Sequence, residues 1–348
     1  MPPGFGWPIP EQLGTSWSQT VCCMTLRNPG PASVIAACVV LLAAALWLVV
    51  GVSPQRAASP RLTVLALSPS GNLLAGGSVG GAIRIWDLRK PGHPREISQT
   101  TGNLNDLRFD PHERILAIAN RNITFVPLAG DKAPQTIRDD EANYGSVRFS
   151  LDGRSLLTIN GEGAVLVIDI STGVAERGHC CTSIWGEVDF SPDDKLVLWA
   201  GHWPGVWDLR LRSLVGRFTA NREIMTFGPI ASDSKRGLVY MGSQDGRVYQ
   251  WDLQSRQLLR TSPPLSGYVR TIVLVGNSGW IAYAAGGGPV YLWNPRSGAR
   301  RHLPAARTTS NLVFDESNDR IALGTESGHV EFWDLTNDRL LERLPAAP

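Results

Sequence analysis

Val248-Tyr249-Gln250-Trp251-Asp252-Leu253 is an apolar, alternating strand that ends on a Trp-Asp pair, and the phrase returns along most of the chain. Close copies are Ile83-Arg84-Ile85-Trp86-Asp87-Leu88, Val206-Trp207-Asp208-Leu209 and Val330-Glu331-Phe332-Trp333-Asp334-Leu335. Trp293-Asn294, Ile168-Asp169 and Val126-Pro127 stand at the same point of three fainter copies. Each copy is preceded by an apolar strand and a strand of small residues, with turns such as Asp152-Gly153 and Asp245-Gly246 breaking the strands. Gly and Asp supply the positive φ and the side-chain caps that tight turns need. Seven copies spaced about 40 residues apart predict seven four-stranded units, each burying its faces against its neighbours.

A repeat of this length carrying Trp-Asp resembles the WD40-repeat family, and the resemblance covers about four-fifths of the chain. It implies an all-β fold, a seven-bladed WD40-type β-propeller over 61–345, with Trp86, Asp87, Trp207, Asp208, Trp251, Asp252, Trp293, Trp333 and Asp334 as structural repeat positions. Well-formed members tie the Trp into a polar network with a Gly-His, a Ser or Thr and a turn Asp. Here that network is mostly missing, which marks a divergent member held by apolar packing and glycine turns. Nothing strand-like lies between 53 and Leu62, and Arg339–Arg343 completes the last unit. Every blade is therefore expected to own its four strands, with no strand exchanged between the chain ends.

Upstream, Ser33 to Val52 is twenty residues without a charge. As a helix it would reach about 30 Å, the thickness of a bilayer's hydrocarbon core. The reading is one transmembrane helix at 33–52, after a Pro- and Gly-rich tail at 1–32 expected to be disordered and before a linker at 53–60. A cleaved signal peptide is the second reading, although such apolar regions run shorter and no clean Ala-x-Ala site follows. A start at Met24 would place Arg27 in a short basic leader. The flanking bases Arg27, Arg56 and Arg61 fix orientation weakly; the expectation is a single-pass membrane protein with the propeller leaning to the extracytoplasmic side. Five cysteines at 22, 23, 38, 180 and 181 do not form a disulfide framework.

From Arg61 onward the chain holds 31 Lys and Arg against 30 Asp and Glu. No basic run is interleaved with aromatics, so nucleic acid is not an expected partner. The chemical motifs are weak. Gly76-Gly77-Ser78-Val79-Gly80 fits a nucleophile elbow, but it falls on a strand-to-strand turn where that chemistry needs strand-turn-helix. His179-Cys180-Cys181 with His202 lacks the spacing that lets two thiolates converge on one metal ion. Ala284 to Pro289 is glycine-rich but opens no helix, and Asn122-Ile123-Thr124 sits at a strand start. No cofactor or metal is expected.

Two readings of function remain. The first is a membrane-tethered, non-catalytic protein-interaction scaffold with a monomeric propeller, a protein or peptide partner, and the bilayer engaged through 33–52. The second is a propeller enzyme or small-ligand sensor using the central channel or top face, for which Asp106, Asp189 and Glu223 are the available carboxylates. Aligning the blades on Leu67, Phe109, Phe149, Phe190, Phe227, Leu274 and Phe314 puts Tyr144, Trp185 and Arg222 five places earlier in successive loops, with Tyr268 close by. These types dominate interface energetics, so the four form a candidate partner-binding ring. The competing reading is that they pad their own loops.

Overall fold

The structure, a computed structural model, describes residues 61–346 apart from 91, 93, 100–103, 131, 139–142, 180–186, 192, 202, 220–226, 234 and 309. The segments at 1–32, 33–52 and 53–60 lie outside the described residues. Among those described, no helix is long and apolar enough to cross a membrane.

Among the described residues, twenty-eight strands form seven antiparallel sheets of four, each a meander in chain order. The first strands are Leu62–Leu67, Asp106–Phe109, Val147–Phe149, Val188–Phe190, Phe227–Asp233, Val269–Val275 and Val313–Asp315. Each touches the first strand of the next blade, and the last touches the first, so these strands form the inner wall of a closed ring. Blade one pairs only Leu62–Leu67, Leu73–Ser78, Ala82–Asp87 and Arg95–Gln99, and blade seven ends on its own Arg339–Leu344. Among the described residues, blade seven pairs only its own four strands, the closure the sequence predicts.

The core is a series of seams between blades. Leu62, Leu65, Leu74 and Trp86 of blade one share a cluster with Val313, Val330, Phe332 and Leu344 of blade seven. Trp86, Trp251, Trp293 and Trp333 are all buried in such seams, and a core aromatic of this size is a large share of a blade's apolar burial. Close approach explains the small-residue second strands: a Cβ at Gly76 would fall 2.8 Å from the Trp86 ring, so only glycine fits there. The elbow-like Gly76–Gly80 is accordingly a packed strand end, with Ser78 buried and its Oγ donating to the Ala82 carbonyl at 3.2 Å.

The acidic half of the repeat is a turn device. Oδ1 of Asp87, Asp169, Asp208, Asp252, Asn294 and Asp334 accepts a backbone amide two or three residues on, at 2.7–3.0 Å. Each closes the turn between the third and fourth strands. Trp333 makes a local polar contact: its Nε1 donates to the buried Glu331, two residues back, at 3.0 Å.

Candidate interaction surfaces

Strand register tests the proposed loop ring. Leu74, Leu116, Leu156, Val197, Ile281 and Ile321 pair with both the repeat position of their blade and the first-strand residues Leu67, Phe109, Phe149, Phe190, Leu274 and Phe314. In blade five the same register runs Ser232–Val239–Trp251, not through Phe227. Phe227 begins that strand rather than ending it. The residue five places before the corrected end is Phe227, and Arg222 drops out of the alignment.

Among the described residues, the corrected position belongs to the core. Leu62, Leu104, Tyr144 and Val269 occupy it and all are buried. Tyr144 is 1% exposed and packs among Ala117, Phe125, Val147 and Leu156. It pads the seam between blades two and three and offers no docking area. Trp185 and Arg222 lie outside the described residues. Tyr268 differs: it is 51% exposed, with the Arg270 guanidinium 5.2 Å from its ring centre. A residue the pattern missed accompanies it on the same end of the ring. Trp203, in the turn between the second and third strands of blade four, is 59% exposed with Arg217 at 5.9 Å. Its carbonyl accepts from Trp199 Nε1 at 2.8 Å and from Arg217 Nη1 at 3.0 Å, so the backbone beneath the exposed ring is held. Its signal was hidden because it stands in a turn, outside the periodic strands.

The channel side of blades two to four carries charge. Arg148 Nη1 meets Asp106 at 2.7 Å, its Nη2 meets Glu187 at 3.1 Å, and Asp189 lies at 3.9 Å. Arg108 shares Asp106 at 3.6 Å, and Ser232 Oγ donates to Asp189 at 2.7 Å. Burial opposes the Arg148 charge, but the three carboxylates outweigh it and hold the guanidinium above its ordinary value. Burial also pushes the Glu187 carboxyl up, against the pull of Arg148. Burial and then the neighbouring Arg148 charge push Arg108 down.

These groups serve the ring. The Val147 amide donates to Asp106 at 3.1 Å, Val188 to Ser146 at 3.0 Å, Ile230 to Glu187 at 3.4 Å, Leu312 to Thr271 at 2.8 Å and Leu65 to Asn311 at 2.6 Å. At each of these five junctions, one blade's side chain holds the next blade's backbone at the same register point. The equivalent positions at the other two junctions are apolar, Val64 and Pro229. Asp106, singled out for channel chemistry, is thereby tied into structure, and Asp189 is held by the Ser232 hydroxyl at 2.7 Å; Glu223, Cys180, Cys181 and His202 lie outside the described residues.

Residues 56–87 match the family model described as WD40: WD domain, G-beta repeat. Among curated proteins the chain is 25% identical over 257 residues to THO complex subunit 3 of Arabidopsis thaliana, covering 72% of this chain and 81% of that one. It is 23% identical over 262 residues to the human U3 small nucleolar RNA-associated protein 18 homolog, covering 70% and 47%. With the Periodic tryptophan protein 2 homolog of Schizosaccharomyces pombe it shares 24% over 285 residues, covering 79% and 33%. The chain therefore spans less than half the length of the last two relatives.

Proposed function

We propose that this chain, a divergent WD40-repeat propeller, works as a non-catalytic scaffold that holds a protein partner. The observation that carries the reading is the division of labour among its polar groups. The channel charges of Arg148, Asp106 and Glu187 are committed to joining blades, while the aromatic–arginine pairs Trp203–Arg217 and Tyr268–Arg270 stand exposed on one end of the ring. Rigid aromatics beside arginine are the residues that anchor protein interfaces. The name of the Arabidopsis relative, a complex subunit, supports the same reading. The test is capture of partners by the full-length protein with Trp203→Ala and Tyr268→Ala, separately and together. Loss of the same interactors at an unchanged melting temperature is the expected result, and undiminished capture by the double variant would overturn it.

The stretch 33–52 keeps its reading as a membrane segment on sequence grounds alone, twenty residues without a charge. Alkaline carbonate extraction tests it: the full-length protein should stay with the membrane pellet, and release into the supernatant would make cleavage the better reading.

A further inference from the structure

One repeat tryptophan is not covered. Three of the four buried ones are capped by apolar side chains from the outer edge of the preceding blade, and at the blade before the fourth, Trp293, the buried Ser262 stands at that register. Leu344 of blade seven lies in one cluster with Trp86, Phe218 after blade four's last strand packs 5.8 Å from Trp251, and Leu303 of blade six lies with Trp333. Leu344 pairs across to Val330, and the Phe218 amide donates to the Pro204 carbonyl, each partner standing three residues before a repeat tryptophan. In blade three the same register gives Val165 opposite Gly178. Gly178 brings no side chain to the seam, and Trp207 of blade four is left partly exposed. A groove of about 340 Å³ opens there, with Val165, Val167, Trp207 and Leu209 as its floor and Glu176, Arg177 and Arg212 on its rim.

The groove is bordered by apolar side chains that protrude. Leu214, cross-strand partner of Trp207, is 44% exposed, Leu211 in the adjoining turn 59%, and Val174 on the blade-three side 63%. An Arg212–Glu176 ion pair at 3.0 Å ties that turn to blade three, so hole and protrusions share one patch. The rim charges are balanced: Arg177 and Arg212 against Glu162 and Glu176. A patch holding a hole, protrusions and equal numbers of both signs complements itself, which is what a two-fold isologous interface needs. The nearly neutral propeller, 31 basic against 30 acidic residues, adds no long-range repulsion.

We propose that the occupant of this groove is a second copy of the chain. Two propellers meet rim to rim through blades three and four, and the Leu211 side chain of each enters the groove that Gly178 leaves over the other's Trp207. The arrangement revises the expectation of a monomeric propeller, and it leaves Trp203 and Tyr268 outside the patch. The experiment is light scattering on the full-length protein in mild detergent across a wide concentration range, with the detergent mass subtracted. A dimer is expected, and Leu211→Asp or Gly178→Leu should weaken its dissociation constant by at least about tenfold while leaving the melting temperature unchanged at concentrations low enough that the parent too is monomeric. Gly178 has an ordinary strand φ, and an added Cβ would meet Trp207 at 3.5 Å, an ordinary contact. The exposed Leu211→Asp change keeps the test decisive should the glycine variant fold poorly. A monomer at every concentration, or a dimer that survives Leu211→Asp, overturns the proposal.

Discussion

Asn311 grips Leu65 with both ends of its amide: Oδ1 accepts the Leu65 N–H at 2.6 Å, and Nδ2 donates to the Leu65 carbonyl at 2.8 Å. The two residues are 246 apart in sequence and belong to the blades that close the ring. No other junction of the described ring shows this double bond to one residue's backbone. The closing seam has it where a shared strand would otherwise supply backbone pairing.

Asn311→Leu should therefore cost about 1–3 kcal/mol, because two backbone groups of an inner strand lose their partners. Denaturant unfolding measures the loss, and hydrogen exchange should show protection falling first in Leu62–Leu67. A variant as stable and as protected as the parent would show that apolar packing alone closes the ring.

Trp251→Ala should cost about 3–5 kcal/mol, as removal of a fully buried large side chain does. Trp251 is 1% exposed and stacks with Tyr249 at 5.5 Å. Trp207→Ala, at the uncovered seam, should cost clearly less. Thermal denaturation of the two variants checks the order, and equal losses would contradict the open groove.

Arg148→Met should destabilise by about 3 kcal/mol, the low end for a broken buried pair, since Glu187 loses its cation and Asp106 keeps only Arg108 at 3.6 Å. Asp106→Asn in the same background should recover part of that loss, because the two changes act on one pair. Additive losses in the double variant would show that the pair is not coupled.

The turn carboxylates predict an acid limb. Hydrogen bonds from Ser171 and Thr172 hold Asp169 below its usual value, those from Ser255 do so for Asp252, and those from Asn337 and Thr336 for Asp334. A folded pKa below the unfolded one means the contribution is present above the ordinary aspartate value of 3.8 and lost as pH falls through the folded value. Asn294 caps the same turn without a charge. Asp252→Asn should thus leave melting at neutral pH nearly unchanged and flatten its decline in acid. A melting temperature that still falls as steeply as the parent's would place the acid sensitivity elsewhere.

The blades were legible because each buries the same apolar alternation, so Trp86, Trp251 and Trp333 mark their strands even where polar partners are gone. Blade five misled at one point. Its inner strand ends on Ser232 and Asp233 instead of an aromatic, and Phe227 at its start imitates the ends of other blades. That shift drew Arg222 into a ring whose described occupants, Leu62, Leu104, Tyr144 and Val269, are core. Loop aromatics carry no period that separates padding from display, so Tyr144 and Tyr268 read alike and differ only in solvent contact. The clamps are equally silent in sequence, since Asn311, Asp106, Ser146, Glu187 and Thr271 share a position and no residue type.

The unshared seam also decides how the ring yields to force. In a ring closed by a strand from the opposite chain end, tension between the ends pulls a backbone ladder in shear, and many bonds must break together. Here tension applied at Leu62 and Leu344 meets the Asn311 clamp and an apolar contact, which part in sequence like a zip. The propeller behaves mechanically as a coiled ribbon held by a clasp: once the clasp slips, blades can peel away singly, each losing only the neighbour beside it.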